Sequence, residues 1–254
     1  MTGALAAEWL KVRSVRSTYV AVAVAAATVL LGVLFVLYAG SVWDARPPDR
    51  QPEFRAARPE QGFLPVVQLS LAVLGVLAIT SEYATGMLRT SLTAVPRWRT
   101  VLAAKAVVVA GVALVVASAV LVGTFAAGRL AAGDRTMGFN TAPVADELPL
   151  LLASIASVVV MALLGLGFGA VCRSAAAAVT AVVGVRFLVP VVATLLPPPW
   201  GARLAGVQLQ DLPATIAGVE TTGGGEPAVG LVLLVGYAAV PLGVAAVLGP
   251  RTEA

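Results

Sequence analysis

Val101–Ala127, VLAAKAVVVAGVALVVASAVLVGTFAA, decides how the chain is read, because one charge, Lys105, interrupts residues that are otherwise apolar, small or hydroxylated. At 1.5 Å per residue, about 20 apolar residues in a helix cross about 30 Å of hydrocarbon, so this run is long enough. Inside hydrocarbon every backbone N–H and C=O must find a partner within its own segment, which makes such a run a helix. Five further runs meet the same test: Tyr19–Tyr38, Phe63–Thr80, Leu150–Val171, Ala176–Leu196 and Val229–Leu248, of which Phe63–Thr80 is the shortest. The loops between them are too short for a second domain. The expected fold class is all-α: a polytopic membrane protein with six transmembrane helices, residues 1–254 forming a single transmembrane domain.

Composition supports that reading and excludes much enzyme chemistry. Hydrophobic residues make up 59% of the chain and charged residues only 12%. No histidine is present, which removes imidazole acid–base catalysis, Ser-His-Asp triads and the commonest zinc ligand. Cys172 is the single cysteine, so no intramolecular disulfide can form. A phosphate-cradling loop needs a Gly-Lys pair followed by Ser or Thr, and neither Lys11 nor Lys105 has that setting. The chain is expected not to be an enzyme. Its 17 basic residues include only two lysines, and heavy Ala and Val usage accompanies them. That bias suggests a GC-rich bacterial genome, and hence the bacterial plasma membrane.

Lys11, Arg13 and Arg16 precede the first apolar run as in a secretory signal, but the run is longer than a signal core and is expected to be retained. Before it, Ala4–Ser17 reads as an interfacial helix: Leu5, Trp9 and Val12 share a face, Lys11 and Arg13 turn elsewhere, and Trp9 suits the membrane boundary. An ordinary positively charged flank is the plainer alternative. With the N-terminus inside, the short inner segments carry Lys11, Arg13, Arg16, Arg89, Arg97, Arg99, Lys105, Arg173 and Arg251. The longer outer loops carry Arg46, Arg50, Arg55, Arg58, Arg129, Arg135 and Arg203, with ten of the 13 acidic residues. The margin is narrow, but basic density close to the spans favours both termini in the cytoplasm.

Between the second and third runs lies the most distinctive polar stretch, SEYATGMLRTSLTAVPRWR at Ser81–Arg99. Gly86 lets the chain turn, Met87, Leu88, Leu92 and Val95 form a short apolar face, and Pro96 ends the element. A short amphipathic helix in an inner loop is expected, with Glu82 and Arg89 at exposed span ends that contribute little to the bundle.

At these residues the chain resembles the membrane subunits of type-2 ABC exporters, in particular small actinobacterial permeases. The matching residues are Glu8–Ser14 (EWLKVRS), Ser81-Glu82-Tyr83, Gly86, Arg89-Thr90, Pro96, Arg97 and Lys105. The resemblance implies that the loop after the second span is a coupling helix docking on a separate ABC ATPase subunit, with Glu82, Tyr83, Gly86, Arg89 and Arg97 shaping the contact. It also implies a second permease subunit, identical or different, beside the membrane lipids. ATP and magnesium would belong to the ATPase, leaving no cofactor on this chain, and no nucleic-acid partner is expected. A non-transporting assembly or sensor protein is the alternative function.

The same resemblance suggests re-entrant helices in the loop Pro197–Ala228, which could equally be an exposed surface loop. Gly165 and Gly169 make a small-residue face in the fourth span, read as close packing within one subunit. Arg186 lies near the centre of the fifth span, where an arginine costs about 2.5 to 3.5 kcal/mol on insertion scales. No acidic residue lies at comparable depth in any apolar run. Either Arg186 bonds helix carbonyls and hydroxyls such as Thr180 or Thr194, aided by carbonyls freed at Pro190, or it lines a translocation path and meets an anionic group.

Overall fold

The structure, a computed structural model, describes residues 16–94, 97–219 and 225–249. Among these residues all regular structure is helical, and six segments are long and apolar enough to cross a membrane. They are α1 (Arg16–Asp44), α3 (Leu64–Thr85), α5 (Trp98–Ala132), α6 (Val144–Cys172), a composite fifth crossing and α11 (Pro227–Leu248). The fifth crossing joins α7 (Ala175–Val183), a π-helical turn (Gly184–Leu188) and α8 (Val189–Leu195). Short helices fill the connections: α2 (Pro59–Gly62), α4 (Met87–Ala94), α9 (Trp200–Ala205) and α10 (Leu212–Ile216). The expected interfacial helix, with Trp9, Lys11 and Arg13, lies outside the described residues except for Arg16 and Ser17, which already belong to α1.

The helices outrun the apolar runs that announced them. α3 continues to Thr85, and α5 has 35 residues, about 52 Å of helix, more than hydrocarbon alone requires. An apolar run stops at the first charged side chain, whereas backbone hydrogen bonding continues until a capping residue interrupts it. For α3 that residue is Gly86, whose φ of 72° lies in the left-handed region that an L side chain resists.

α6 is the most enclosed of the crossing helices, and its glycines explain why. A Cβ on Gly165 would come within 2.2 Å of the Ala72 carbonyl oxygen, and one on Gly75 within 2.0 Å of the Ala162 oxygen, so α3 and α6 cross backbone to backbone. Gly169 meets Val76 and Ile79, and Gly167 meets Pro241 of α11. Small residues thus let neighbours approach where no hydrophobic force from water draws helices together.

The two ends of the bundle differ. At the end carrying α4, connections are tight: Arg173 turns the chain between α6 and α7, and its Nη2 donates to the Gly249 carbonyl at 2.7 Å. The Trp98 indole N–H donates to the Ala245 carbonyl at 2.9 Å, fastening the last turn of α11 to the first of α5. At the far end, arginines tie long loops down. Arg135 grips Asp44 through Nε and Nη2 at 2.9 and 2.8 Å, Arg58 meets Glu147 at 2.6 Å, and Arg129 donates to the carbonyls of Asn140 and Ala142. Pro59 is wedged against Gly128 and Gly32, burying the adjoining Glu60, whose carboxyl that burial pushes above its ordinary range.

The connection from α8 to α11 enters the bundle. Gln208, Leu209, Leu212, Pro213 and Thr215 are buried, and α10 packs on α6 and α11. Tyr237, the eleventh residue of α11 and so about 15 Å along it, donates its hydroxyl to the Val207 carbonyl at 2.8 Å. These residues of the loop therefore lie against the side of α11 rather than beyond its end.

Candidate functional site

Two buried polar centres stand out, one at the end of the bundle that carries α4 and one midway along the fifth crossing. The first follows from α3 running to Thr85, which carries Glu82 inward instead of leaving it at an exposed span end. Glu82 is 4% exposed and accepts from the ammonium of Lys105, itself 2% exposed, at 3.0 Å. The expectation that Glu82 contributes little to the bundle is therefore corrected. Lys105, counted from sequence as a basic flank, sits two turns inside α5 and neutralises the carboxylate where water cannot.

Around this pair lie the other residues singled out beside it. Tyr83 is half-buried, its hydroxyl donating to the Ala170 carbonyl at 3.5 Å while the Arg173 guanidinium lies 5.9 Å from its ring centre. Gly86 is the exposed turn, and α4 follows it directly. Of the expected apolar face of α4, Leu88 is buried and Leu92 partly so, whereas Met87 stays 46% exposed and Val95 lies outside the described residues, as does Pro96. Thr90 and Thr93 face outward. Arg89 belongs to α4, and Arg97 is exposed just ahead of α5. α4 thus turns Leu88 inward and Leu92 partly so, and exposes Met87, Thr90 and Thr93.

The second centre is built on the π-turn. Pro190 has no N–H to return to the Arg186 carbonyl, and the Val189 N–H reaches back five residues to the Gly184 carbonyl, widening the helix there. Arg186 sits in that widened turn, 8% exposed. Its Nε donates to Gln68 Oε1 at 3.1 Å and its Nη1 to Gln210 Oε1 at 2.9 Å. Each amide is oriented by its other end: Gln68 Nε2 donates to Ser157 Oγ at 3.0 Å, and Gln210 Nε2 to Gln208 Oε1 at 2.9 Å. Ser157 Oγ donates in turn to the Ser154 carbonyl at 2.7 Å.

Helix carbonyls and threonine hydroxyls are therefore not the partners of Arg186. Thr194 returns its own hydroxyl to the Val191 carbonyl. The partners come from α3 and from the loop between α8 and α11, and that loop brings Asp211 within electrostatic range, although no apolar run holds an acid there. Among the described residues no carboxylate oxygen lies within 4.0 Å of the guanidinium. Burial pushes the Asp211 carboxyl above its ordinary range, with Arg186 drawing it partly back. Sequence reading missed Gln68, although it is the one amide side chain within the six apolar runs and an intramembrane polar group is a signal in itself. Gln208 and Gln210 carry no such mark, because nothing local says that their loop turns inward.

Comparison with known proteins identifies the scaffold. A family model described as ABC-2 family transporter protein matches residues 4–196, well over half the chain, and the chain belongs to that family. No curated protein matches it. The match covers both polar centres except the contribution of the loop beyond residue 196, and it identifies a multi-pass membrane component of a transport system.

Proposed function

We propose that this ABC-2 family chain is the membrane-spanning subunit of an ATP-driven exporter, paired with a second permease subunit and energised by a separate ABC ATPase. In this reading α4 is the coupling helix. Glu82, Tyr83, Gly86, Arg89 and Arg97 shape its seat, Trp9, Lys11 and Arg13 lie in an interfacial helix, and Arg186 lines the translocation path. ATP and magnesium are held by the partner, and both termini face the cytoplasm of a bacterial cell.

One observation carries the reading: a short helix, α4, with Met87, Thr90 and Thr93 exposed, hangs between α3 and α5, and the roots of those helices are locked by the buried Glu82–Lys105 pair. A force applied to α4 therefore reaches two crossing helices through a stiff joint. Trp98 and Arg173 extend the joint to α11.

The test is co-purification with an ABC ATPase from the same organism, sought first among the genes beside the chain's own. Wild type should retain the ATPase through detergent extraction, and Arg89→Glu should release it while inserting normally. A chain that never retains an ATPase would be a non-transporting sensor or assembly protein. Orientation is tested separately in a Cys172→Ala background. Asp49→Cys should react with a membrane-impermeant thiol reagent in intact cells and Thr93→Cys should not; the reverse pattern inverts the topology.

A further inference from the structure

The Arg186 centre has a chemistry that its own partners do not complete. A guanidinium keeps its charge under all ordinary conditions. Here it is enclosed, and both of its bonded acceptors are neutral amide oxygens. One N–H of each amide is fixed on Ser157 or Gln208, which keeps its oxygen turned toward the guanidinium. Nη2 has no hydrogen-bond partner among the described residues, and Asp211 stays outside ion-pair distance. Lys105, the other buried cation, has a carboxylate at 3.0 Å. A purely structural arginine in hydrocarbon would be expected to have the same.

What surrounds the open nitrogen narrows the occupant. Phe187 and Leu188, next in sequence, are 44% and 60% exposed on the outside of the bundle, so the charged group sits one residue from a bare apolar surface. A small hydrated anion would gain one ion pair and lose its water. A molecule with an acidic head and a long tail would satisfy the guanidinium while its tail stays in an apolar setting.

We propose that Arg186 is the head-group receptor of a site for an acidic amphiphile, with Gln68 and Gln210 holding the guanidinium so that Nη2 faces one carboxylate or phosphate group. This rests on the reading of Arg186 as part of the translocation path and adds the class of molecule that the path takes. Asp211 tunes the site by repelling the same head group.

The test uses the full chain in phosphatidylcholine nanodiscs with fluorescent dodecanoic acid and its uncharged methyl ester. Wild type should bind the acid about tenfold more tightly than the ester, the worth of one charge-assisted hydrogen bond. Arg186→Gln should abolish the preference, Arg186→Lys should keep part of it, and Asp211→Asn should raise acid affinity severalfold. Equal binding of acid and ester by wild type would overturn the proposal. So would an undiminished preference in Arg186→Gln, or an unchanged acid affinity in Asp211→Asn, a variant that leaves the arginine network intact.

Adding phosphatidylglycerol to the disc assigns the source of the head group. Displacement of the acid identifies a bilayer lipid, and persistence identifies a mobile amphiphile; both support acid recognition. Efflux of the acid from proteoliposomes containing the ATPase then separates the two readings. Selective binding without ATP-driven efflux overturns the path and leaves the site, while efflux equal for acid and ester overturns the site and leaves the path.

Discussion

Glu82–Lys105 and Arg186 are both buried charges in one bundle, yet the protein treats them oppositely. The first is an ion pair whose partners come from adjacent helices, α3 and α5, joined by the short connection through α4. The second is a single cation whose hydrogen-bond partners are two neutral amides, one on α3 and one on a loop that reaches in from the far end, with the Phe187 ring centre 5.2 Å from the guanidinium carbon. Neutralising a buried charge with its opposite makes a joint, because moving either partner exposes the other to apolar surroundings. Surrounding a charge with neutral acceptors orients it without quenching its field. The contrast separates a mechanical role from a recognition role on electrostatic grounds.

The largest break in that contrast should come from Glu82→Ala, which takes the carboxylate away from the buried Lys105 ammonium and should cost about 3–5 kcal/mol of unfolding stability in mixed micelles. Replacing both residues, Glu82→Leu with Lys105→Met, should recover most of that loss while still uncoupling transport, since packing is restored but the joint is not. Stability that stays low in the double variant would mean that the pair contributes more than mutual neutralisation.

Gln68→Leu should come next. It removes the acceptor of Arg186 Nε and the donor to Ser157, and should lower stability by about 1–3 kcal/mol in the same assay. Arg186→Gln should cost less than about 1 kcal/mol, because losing an unneutralised charge from an apolar site offsets the lost hydrogen bonds. Transport, by contrast, should fall to background. A stability loss as large as that of Glu82→Ala would make Arg186 a structural residue and erase the distinction.

The smallest effect is a pH dependence. The Asp211 carboxyl is raised above 3.8, chiefly by burial, so between 3.8 and its raised value the folded protein holds a proton that the unfolded chain has released. The penalty for burying the ionised form is complete above that window and relieved as pH falls through it. Melting temperature measured against pH should therefore rise for wild type relative to Asp211→Asn as the medium is acidified toward pH 4. Parallel curves for the two proteins would show that the loop between α8 and α11 does not hold Asp211 in a desolvated place.

Reading the far end from sequence shows where local information runs out. Arg46, Arg50, Arg55 and Arg58, between the first two crossings, blurred the count of basic residues. The structure spends Arg55 and Arg46 on the loop itself, on the carbonyls of Pro52 and Phe54 and over the Phe54 ring, and Arg58 on Glu147 of α6. An arginine that fastens a loop and one that reports topology look alike in sequence, because the difference lies in how the loop folds back and, for Arg58, in a partner 89 residues away. Glu82 was misread for the same reason: the apolar run ends at Thr80, but the helix does not.

The six crossings, the turn at Gly86, the short helix after it and the oddity of Arg186 were legible in the chain, because each depends on a run of neighbours or on one residue against its neighbours. Hydrocarbon makes that legibility unusually strong, since a backbone without water has no alternative to the helix. Tertiary structure alone brought Lys105 to Glu82, aimed Gln68 and Gln210 at Arg186, and drew Gln208–Asp211 into the bundle. Those pairings join residues up to 118 positions apart. Their energies depend on distance and burial, which a local pattern does not encode, and on helices that glycine lets cross at backbone contact.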